Sequence, residues 1–384
     1  MVMMAQKNGD PAELFVLLWA AAVATSFFSL APTLVGAFMD ELHLSARELG
    51  LISSGELAGS AVASLFVLVS GHLFSRRWML TISLALVGIA DLATAEAHDF
   101  TTILMCRVVS GLGGGLAFSA VTAAAARLPK CGLMFAAISI VQMVFGMLGF
   151  IGAPVVLRSC GLAGVFTILG GCSLTCALVA KFRVSRVPVH GSTLSTSLSL
   201  GPRGALLVLS LFATFLTSTA VWTYLERIGV AARLTASLIN MGLAIGMVSG
   251  VLGALGATVL LLRTRDLDEF LVGGSAVMAA STGLLLKASA PLAYLVALFG
   301  FNGALSLVAP LYQARLAAES GGDSRVLVAM VAMYLGLIGG PLLGAGLITG
   351  LGFEDLIHFA AALFLAAALM AFGAMRLSPR VVTS

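Results

Sequence analysis

Long apolar runs dominate the chain. Twelve of them, at about 13–38, 47–70, 78–95, 100–126, 132–157, 161–180, 204–225, 234–261, 270–287, 290–314, 325–350 and 354–375, alternate with short polar stretches such as DELHLSARE, GHLFSRR and SGGDSR. Each run is close to the roughly 20 residues a helix needs to cross a bilayer core, where every backbone N–H and C=O must be satisfied within its own segment. The pattern predicts an all-α membrane protein with twelve transmembrane helices. The polar stretches are too short to fold as soluble domains. MVMMAQKNGDPAE leads into a first run too long for a signal-peptide core, so that run is expected to remain as a helix.

Composition agrees with the pattern. Hydrophobic residues make up 60% and charged residues 10% of the chain, with a mean hydropathy of +1.08; charged residues are about a quarter of soluble proteins. With a cytoplasmic N-terminus, fifteen of the 21 Lys and Arg residues fall on the cytoplasmic side and five on the other. That bias assigns both termini to the cytoplasm, with a bacterial inner membrane as the expected setting. The net charge of +4 then reports topology, and no nucleic-acid partner is expected. Arg107 alone is left inside a run.

The five cysteines lack metal-ligand spacing, and the five histidines lie in or beside polar stretches. No metal or cofactor is expected. No P-loop is present either, so energy for any transport has to come from outside the chain.

The chain nearly repeats itself. LGFIGAP at 148–154 returns as LGLIGGP at 335–341, 187 residues on, each time in the fifth run of a set of six. Between the sets lies the basic, Ser/Pro/Gly-rich stretch KFRVSRVPVHGSTLSTSLSLGPRG. The expected organisation is a six-helix bundle at 1–180, a cytoplasmic loop at 181–203 and a second bundle at 204–384. Gly149, Gly152 and Pro154, then Gly339, Gly340 and Pro341, would permit close packing and bending where helices rock.

Few side chains within the runs carry charge. Glu56 lies about ten residues into the second run, roughly 14 Å from its outer end and near mid-bilayer. A carboxyl there calls for a partner or a cavity. Ser53, Glu56, Ser60 and Ser64 share one helix face; Gly55, Gly59 and Ala63 form a neighbouring small-residue stripe. Arg107, in the fourth run, lies at similar depth, and Asp91 in the third competes with Glu56 as its partner. Arg107, Gly111, Gly115 and Ser119 repeat every four residues, a face suited to a pore wall or to close packing. A carboxylate beside a permanent cation is a proton-coupling device: deprotonated Glu56 would pair with Arg107, and protonation would release it. Burial and the Arg charge act on that carboxyl in opposite senses.

Over essentially its whole length the sequence resembles the major facilitator superfamily of secondary transporters. GHLFSRRW, from Gly71, looks like the family's Gly-rich basic loop motif, with Ser75 at the usual acidic position; Gly71, Arg76 and Arg77 are then implied in holding one access state. RVVSGLGGG, from Arg107, is similar to the family's intramembrane Arg followed by glycines. GMLGFIGAP partly resembles the antiporter Gly-Pro motif, and WTYLE, from Trp222 to Glu226, looks like the close of span seven in drug and sugar efflux branches. The resemblance implies two pseudo-symmetric six-helix bundles whose spans one, four, seven and ten line a central cavity. In span one it favours Thr25, Ser29 and Thr33 as substrate contacts. Thr214, Thr217 and Tyr224 in span seven, with Asn302 and Ser306 in span ten, are further polar candidates.

The expected function is secondary active transport by alternating access: proton-coupled efflux of a small organic compound by a monomer whose partners are lipid, substrate and protons. Uptake of a metabolite is the nearest alternative. A membrane-embedded enzyme lacks the convergent acids, bases or metal ligands it would need, and a non-transporting sensor lacks a signalling domain.

Overall fold

The computed structural model describes residues 10–128, 131–189, 201–264, 266–318 and 323–377. Lys7, Lys130, Arg265, Arg380 and residues 190–200 of the expected central loop lie outside the described residues. The helices are α1 (Pro11–Ala24), α2 (Ser26–Leu42), α3 (Ala46–Ser70), α4 (Arg76–Ala95), α5 (Phe100–Ala125), α6 (Cys131–Arg183), α7 (Pro202–Ala231), α8 (Ala236–Arg263), α9 (Asp268–Leu284), α10 (Pro291–Ala318), α11 (Asp323–Gly350) and α12 (Phe353–Arg376). Among the described residues no strand forms, only an isolated bridge between Ser75 and Pro188.

Among the described residues eleven helical stretches are long and apolar enough to cross a membrane. One of them, Leu133–Arg183, is 51 residues long, which at 1.5 Å per residue is about two and a half times the thickness of a bilayer core. It breaks at Gly161, where φ is 62° and ψ −166°. The fifth and sixth expected spans are therefore the two halves of α6, and the crossings number twelve. Glu41 caps the second half by accepting from the Leu162 N–H at 2.9 Å.

The first expected span, 13–38, departs from a single helix. It divides at Thr25 into α1 and α2. The Thr25 hydroxyl donates to the Ala21 and Ala22 carbonyls at 3.1 and 3.4 Å, and its own N–H reaches back only three residues, to Ala22 O. Gln142 from α6 seals the break, donating to Thr25 Oγ1 at 2.9 Å and Ala21 O at 3.5 Å. A side chain that satisfies backbone acceptors locally competes with the helical ladder.

The polar punctuation supplies helix caps. Ser45 and Glu48 of DELHLSARE form a capping box at the start of α3. Ser75 caps α4, Asp99 caps α5 and Thr235 caps α8. Hydrogen bonds from Thr102 hold the exposed Asp99 carboxyl below its ordinary range, keeping it charged at a helix N-terminus.

The chain divides into two compact units, Met1–Thr193 and Leu194–Ser384. In the first, α5 is the hub. A Cβ at Gly111 would strike the backbone of Glu56, at Gly115 that of Ser60, at Gly113 that of Ser83 and at Gly114 that of Ala24, so the glycines let α3, α4 and α1 close onto one helix. In the second unit α7 packs against α11 and α12, and α8 against α10.

Candidate functional site

The caps at Ser45 and Asp99 fix where α3 and α5 begin, and thereby bring Glu56 and Arg107 to one depth. Arg107 is fully buried, Asp91 1% exposed and Glu56 8% exposed. Arg107 Nη2 donates to Asp91 Oδ1 at 2.7 Å, to Thr94 Oγ1 at 2.7 Å and to the Ala90 carbonyl at 3.2 Å. Glu56 Oε2 stands 3.7 Å from Nη1, within ion-pair range but without a hydrogen bond. The competition between Asp91 and Glu56 thus ends unequally. Asp91 takes the short, charge-assisted contact, and Glu56 keeps a longer one on a different nitrogen.

Two rings complete the cluster. The guanidinium carbon of Arg107 lies 5.4 Å from the centroid of Phe27 on α2 and 4.9 Å from that of Phe166 on the second half of α6. Both are within reach of a cation–π attraction. Nε and Nη1 of Arg107, Oε2 of Glu56 and Oδ2 of Asp91 have no hydrogen-bond partner. Sequence reasoning missed Thr94 and Phe166 and gave Phe27 no link to Arg107, although the Asp91 and Thr94 spacing of one helical turn was a usable signal.

The four-residue repeat from Arg107 is a packing face. Ser60 Oγ donates to the Gly111 carbonyl at 3.0 Å, and Ser119 Oγ meets Ser64 Oγ at 3.1 Å. The polar stripe of α3 and the small-residue face of α5 are two sides of one close interface.

The expected substrate positions differ in their environments. Thr25 marks the break in span one, Ser29 is half-buried, and the buried Thr33 hydroxyl has no hydrogen-bond partner. In the second unit Thr214 is likewise buried without a hydrogen-bond partner, while Thr217 donates to Ala213 O at 2.7 Å. Asn302 donates to Leu298 O at 3.3 Å, and Ser306 is half-buried. Tyr224 is fully buried, with its hydroxyl donating to Pro341 O at 3.2 Å; it braces α7 against α11.

The two copies of the heptad do different work. A Cβ at Gly340 would meet Thr219 Oγ1 and the backbone of Leu216 and Ala220, and one at Gly339 would meet Leu216, so both belong to the α7 and α11 contact. In the first copy Gly149 faces the flexible end of Leu30, and Gly152 faces open space; Pro154 lies within α6.

Each unit also carries a charged clasp joining the starts of two spans to a third. In the first, Arg76 at the start of α4 pairs with Glu13 near the start of α1 at 2.9 Å, and Ser185 donates to the same Glu13 oxygen at 2.7 Å. Arg127, just past α5, lines the same hollow as Arg76. Backbone bonds from Arg76 N to Val187 O and Val189 N to Phe74 O, and Arg77 Nε to Val184 O at 2.6 Å, stitch the loop after the buried Gly71 to the segment following α6. Glu13 is the acid here; Ser75 only caps. In the second unit Asp268, at the start of α9, receives Arg203 from the start of α7 and Arg315 from the end of α10. The third-span start is basic in one unit and acidic in the other. Nothing in the apolar pattern singled out Glu13 or Asp268.

A family model described as Major Facilitator Superfamily matches residues 16–328. Among solved structures, the nucleoside transporter NupG superposes with a TM-score of 0.74 at 13% identity, over 96% of this chain and 99% of that one. A bacterial homologue of the human lysosomal transporter Spinster, inward-facing and unoccupied, gives 0.71 at 17% identity over 96% and 98%. The human organic anion transporter MFSD10 gives 0.68 at 17% identity over 95% and 100%. At these identities the likeness is one of fold. No curated protein matches the chain in sequence.

Proposed function

The chain belongs to the major facilitator superfamily of membrane transporters, and from that membership we propose that it moves a small, weakly charged organic compound out of the cell in exchange for protons. The proposed setting is a bacterial inner membrane, with both termini cytoplasmic and the protein working as a monomer.

The observation that carries this reading is one guanidinium serving two buried carboxyls unequally. With both acids ionised the cluster would hold an uncompensated negative charge in a low-dielectric interior, which is costly. One proton makes it neutral. Asp91, hydrogen-bonded to Arg107, is the fixed counter-ion. Glu56, with no hydrogen bond to lose, is the carboxyl that exchanges its proton. Arg107 is spent on Asp91, Thr94 and two rings, so it is a poor ligand for an anionic substrate; hence the weakly charged class. Proton binding drives transport only if proton and substrate differ in affinity between access states.

Purified protein in liposomes with an imposed pH gradient tests this. A gradient of one pH unit is worth about 1.4 kcal/mol per proton, or roughly tenfold accumulation of a neutral substrate at one proton per molecule. Nucleosides and weakly charged amphiphiles form a starting panel for ligand-dependent thermal shifts, with organic anions as the class expected not to bind. Glu56→Gln is expected to abolish gradient-driven flux while leaving folding largely intact; gradient-driven flux at the parent rate in that variant would remove Glu56 from coupling. Accumulation in the direction of the proton flow would instead identify an uptake permease.

A further inference from the structure

Span one is built as two helices whose inner ends meet at Thr25 and whose fastenings differ. α1 is tied near its start, where Glu13 holds Arg76 and Ser185. Both halves pack along α6, α1 also against α5 and α2 also against α3. The far end of α2 is bound to the second half of α6, through Phe38 against Phe166, 5.5 Å between centroids, and through Glu41 on the Leu162 N–H. Its near end carries Phe27, whose ring lies over Arg107. Between the halves the helical ladder is interrupted and held by Gln142.

We infer that Phe27 is a positioning residue that transmits the charge state of the Glu56, Asp91 and Arg107 cluster to span one, bending α1 against α2 at Thr25. This rests on the reading that Glu56 exchanges a proton. The titratable groups against Arg107 are Glu56 from α3 and Asp91 from α4, while α2 and α6 present only the rings of Phe27 and Phe166.

The geometry sets the size of the effect. Arg107 is held by hydrogen bonds on Nη2 alone, leaving Nη1 free of them. A charged Glu56 closing its 3.7 Å gap to an ordinary charged hydrogen bond requires a movement of about 1 Å. The Phe27 stack stands at 5.4 Å, and the attraction fades beyond about 6 Å. The ring must therefore follow the guanidinium or lose it. Phe27 lies about 3 Å along the helix axis from Thr25 and Phe15 about 15 Å on the other side, so 1 Å at the ring becomes about 5 Å at Phe15 and breaks the Glu13 bond to Ser185.

Spin labels at F15C on α1 and F182C at the end of α6, both exposed positions, read this movement by pulsed EPR once the five native cysteines are replaced. Between roughly pH 5 and pH 9 the label separation in the parent protein is expected to change by about 5 Å. E56Q should hold one distance at every pH. F27L, which keeps an apolar side chain without the ring, should lose the response, and F27Y should keep it; thermal melting confirms that each variant folds. A response in F27L equal to that of the parent overturns the inference and leaves the Glu56 reading standing. A parent protein with no response, whose flux is still abolished by E56Q, overturns the inference alone. A response that survives in E56Q overturns the Glu56 reading and the inference with it.

Discussion

Asp91→Asn and Glu56→Gln make the same chemical change on two acids facing one arginine, yet they are expected to do opposite things. Asp91 and Arg107 are sealed from solvent and joined at 2.7 Å. Removing one partner of a buried pair costs about 3–5 kcal/mol. The lower end applies, because Glu56 stays 3.7 Å away as a second counter-charge and the Asn carbonyl still accepts from Nη2. The expectation is about 3 kcal/mol. Glu56→Gln removes an acid that makes no hydrogen bond and leaves the Asp91 pair whole, so its cost should stay below about 1 kcal/mol. For a unit the size of Met1–Thr193, 1 kcal/mol moves Tm by about 2–4 °C. Asp91→Asn should therefore lower Tm by about 6–12 °C, and Glu56→Gln by less than about 4 °C while removing the gradient response. Thermal unfolding in detergent, followed by intrinsic fluorescence and paired with liposome flux, measures both quantities. Equal destabilisation by the two variants, or an Asp91→Asn protein that melts with the parent, would refute the division between a fixed and an exchanging carboxyl.

Two further predictions come from packing and charge. Gly340→Ala puts a methyl into the backbone of Leu216 and Ala220 and should destabilise by about 1–3 kcal/mol, whereas Gly152→Ala, facing open space, should be neutral or stabilising by up to about 1 kcal/mol; melting curves that coincide for the two variants would contradict the assignment of the repeats. Glu13→Gln strips Arg76 of its acid and should cost about 1–2 kcal/mol, while the double variant Glu13→Arg with Arg76→Asp reproduces the polarity of the Asp268 clasp and should recover at least half of that loss in the same melt.

The legible part of this protein is what hydrocarbon dictates. Twelve crossings followed from run length alone, since a backbone in lipid has one helical solution per run, and the break at Gly161 turns eleven continuous stretches into that number. Glu56, Asp91 and Arg107 could be picked out because charge within a run is costly, and helical rise placed them at one depth. Which acid would win could not be read, because it turns on side-chain geometry: Asp91 shares a helix face with Thr94, and the short α4 and α5 connection sets both against Arg107. The division at Thr25 was hidden for a related reason. Thr and Gln are unremarkable in composition, and only the approach of Gln142 from 117 residues away shows that the ladder is interrupted. Glu13 and Asp268 were passed over because charges at the ends of spans are ordinary. Their partners, Arg76, Arg203 and Arg315, come from helices distant in sequence.

The two units repeat their architecture but divide their chemistry. The clasps tolerate exchange of sign because each joins acid to arginine at matching span ends: Glu13 with Arg76, beside which Arg127 lines the same hollow, and Asp268 with Arg203 and Arg315. What such a corner requires is a sum of charge, and which span supplies the acid is secondary. The mid-membrane site obeys a stricter rule. The heptad spacing of 187 residues carries Arg107 onto Tyr294, whose hydroxyl donates to Leu225 O at 3.2 Å. A neutral group there needs no counter-ion; the second unit carries its charge in the Asp268 clasp and in the Glu226 and Arg227 pair at 2.7 Å, and joins Ser210, Tyr312 and Ser275 through hydroxyls. A hydroxyl chain can align and brace, but it changes charge at far greater cost than a carboxyl. The arrangement proposed as the proton site, one Arg between two acids, is thereby not repeated at Tyr294, and the repeat of the fold need not bring a second proton with it.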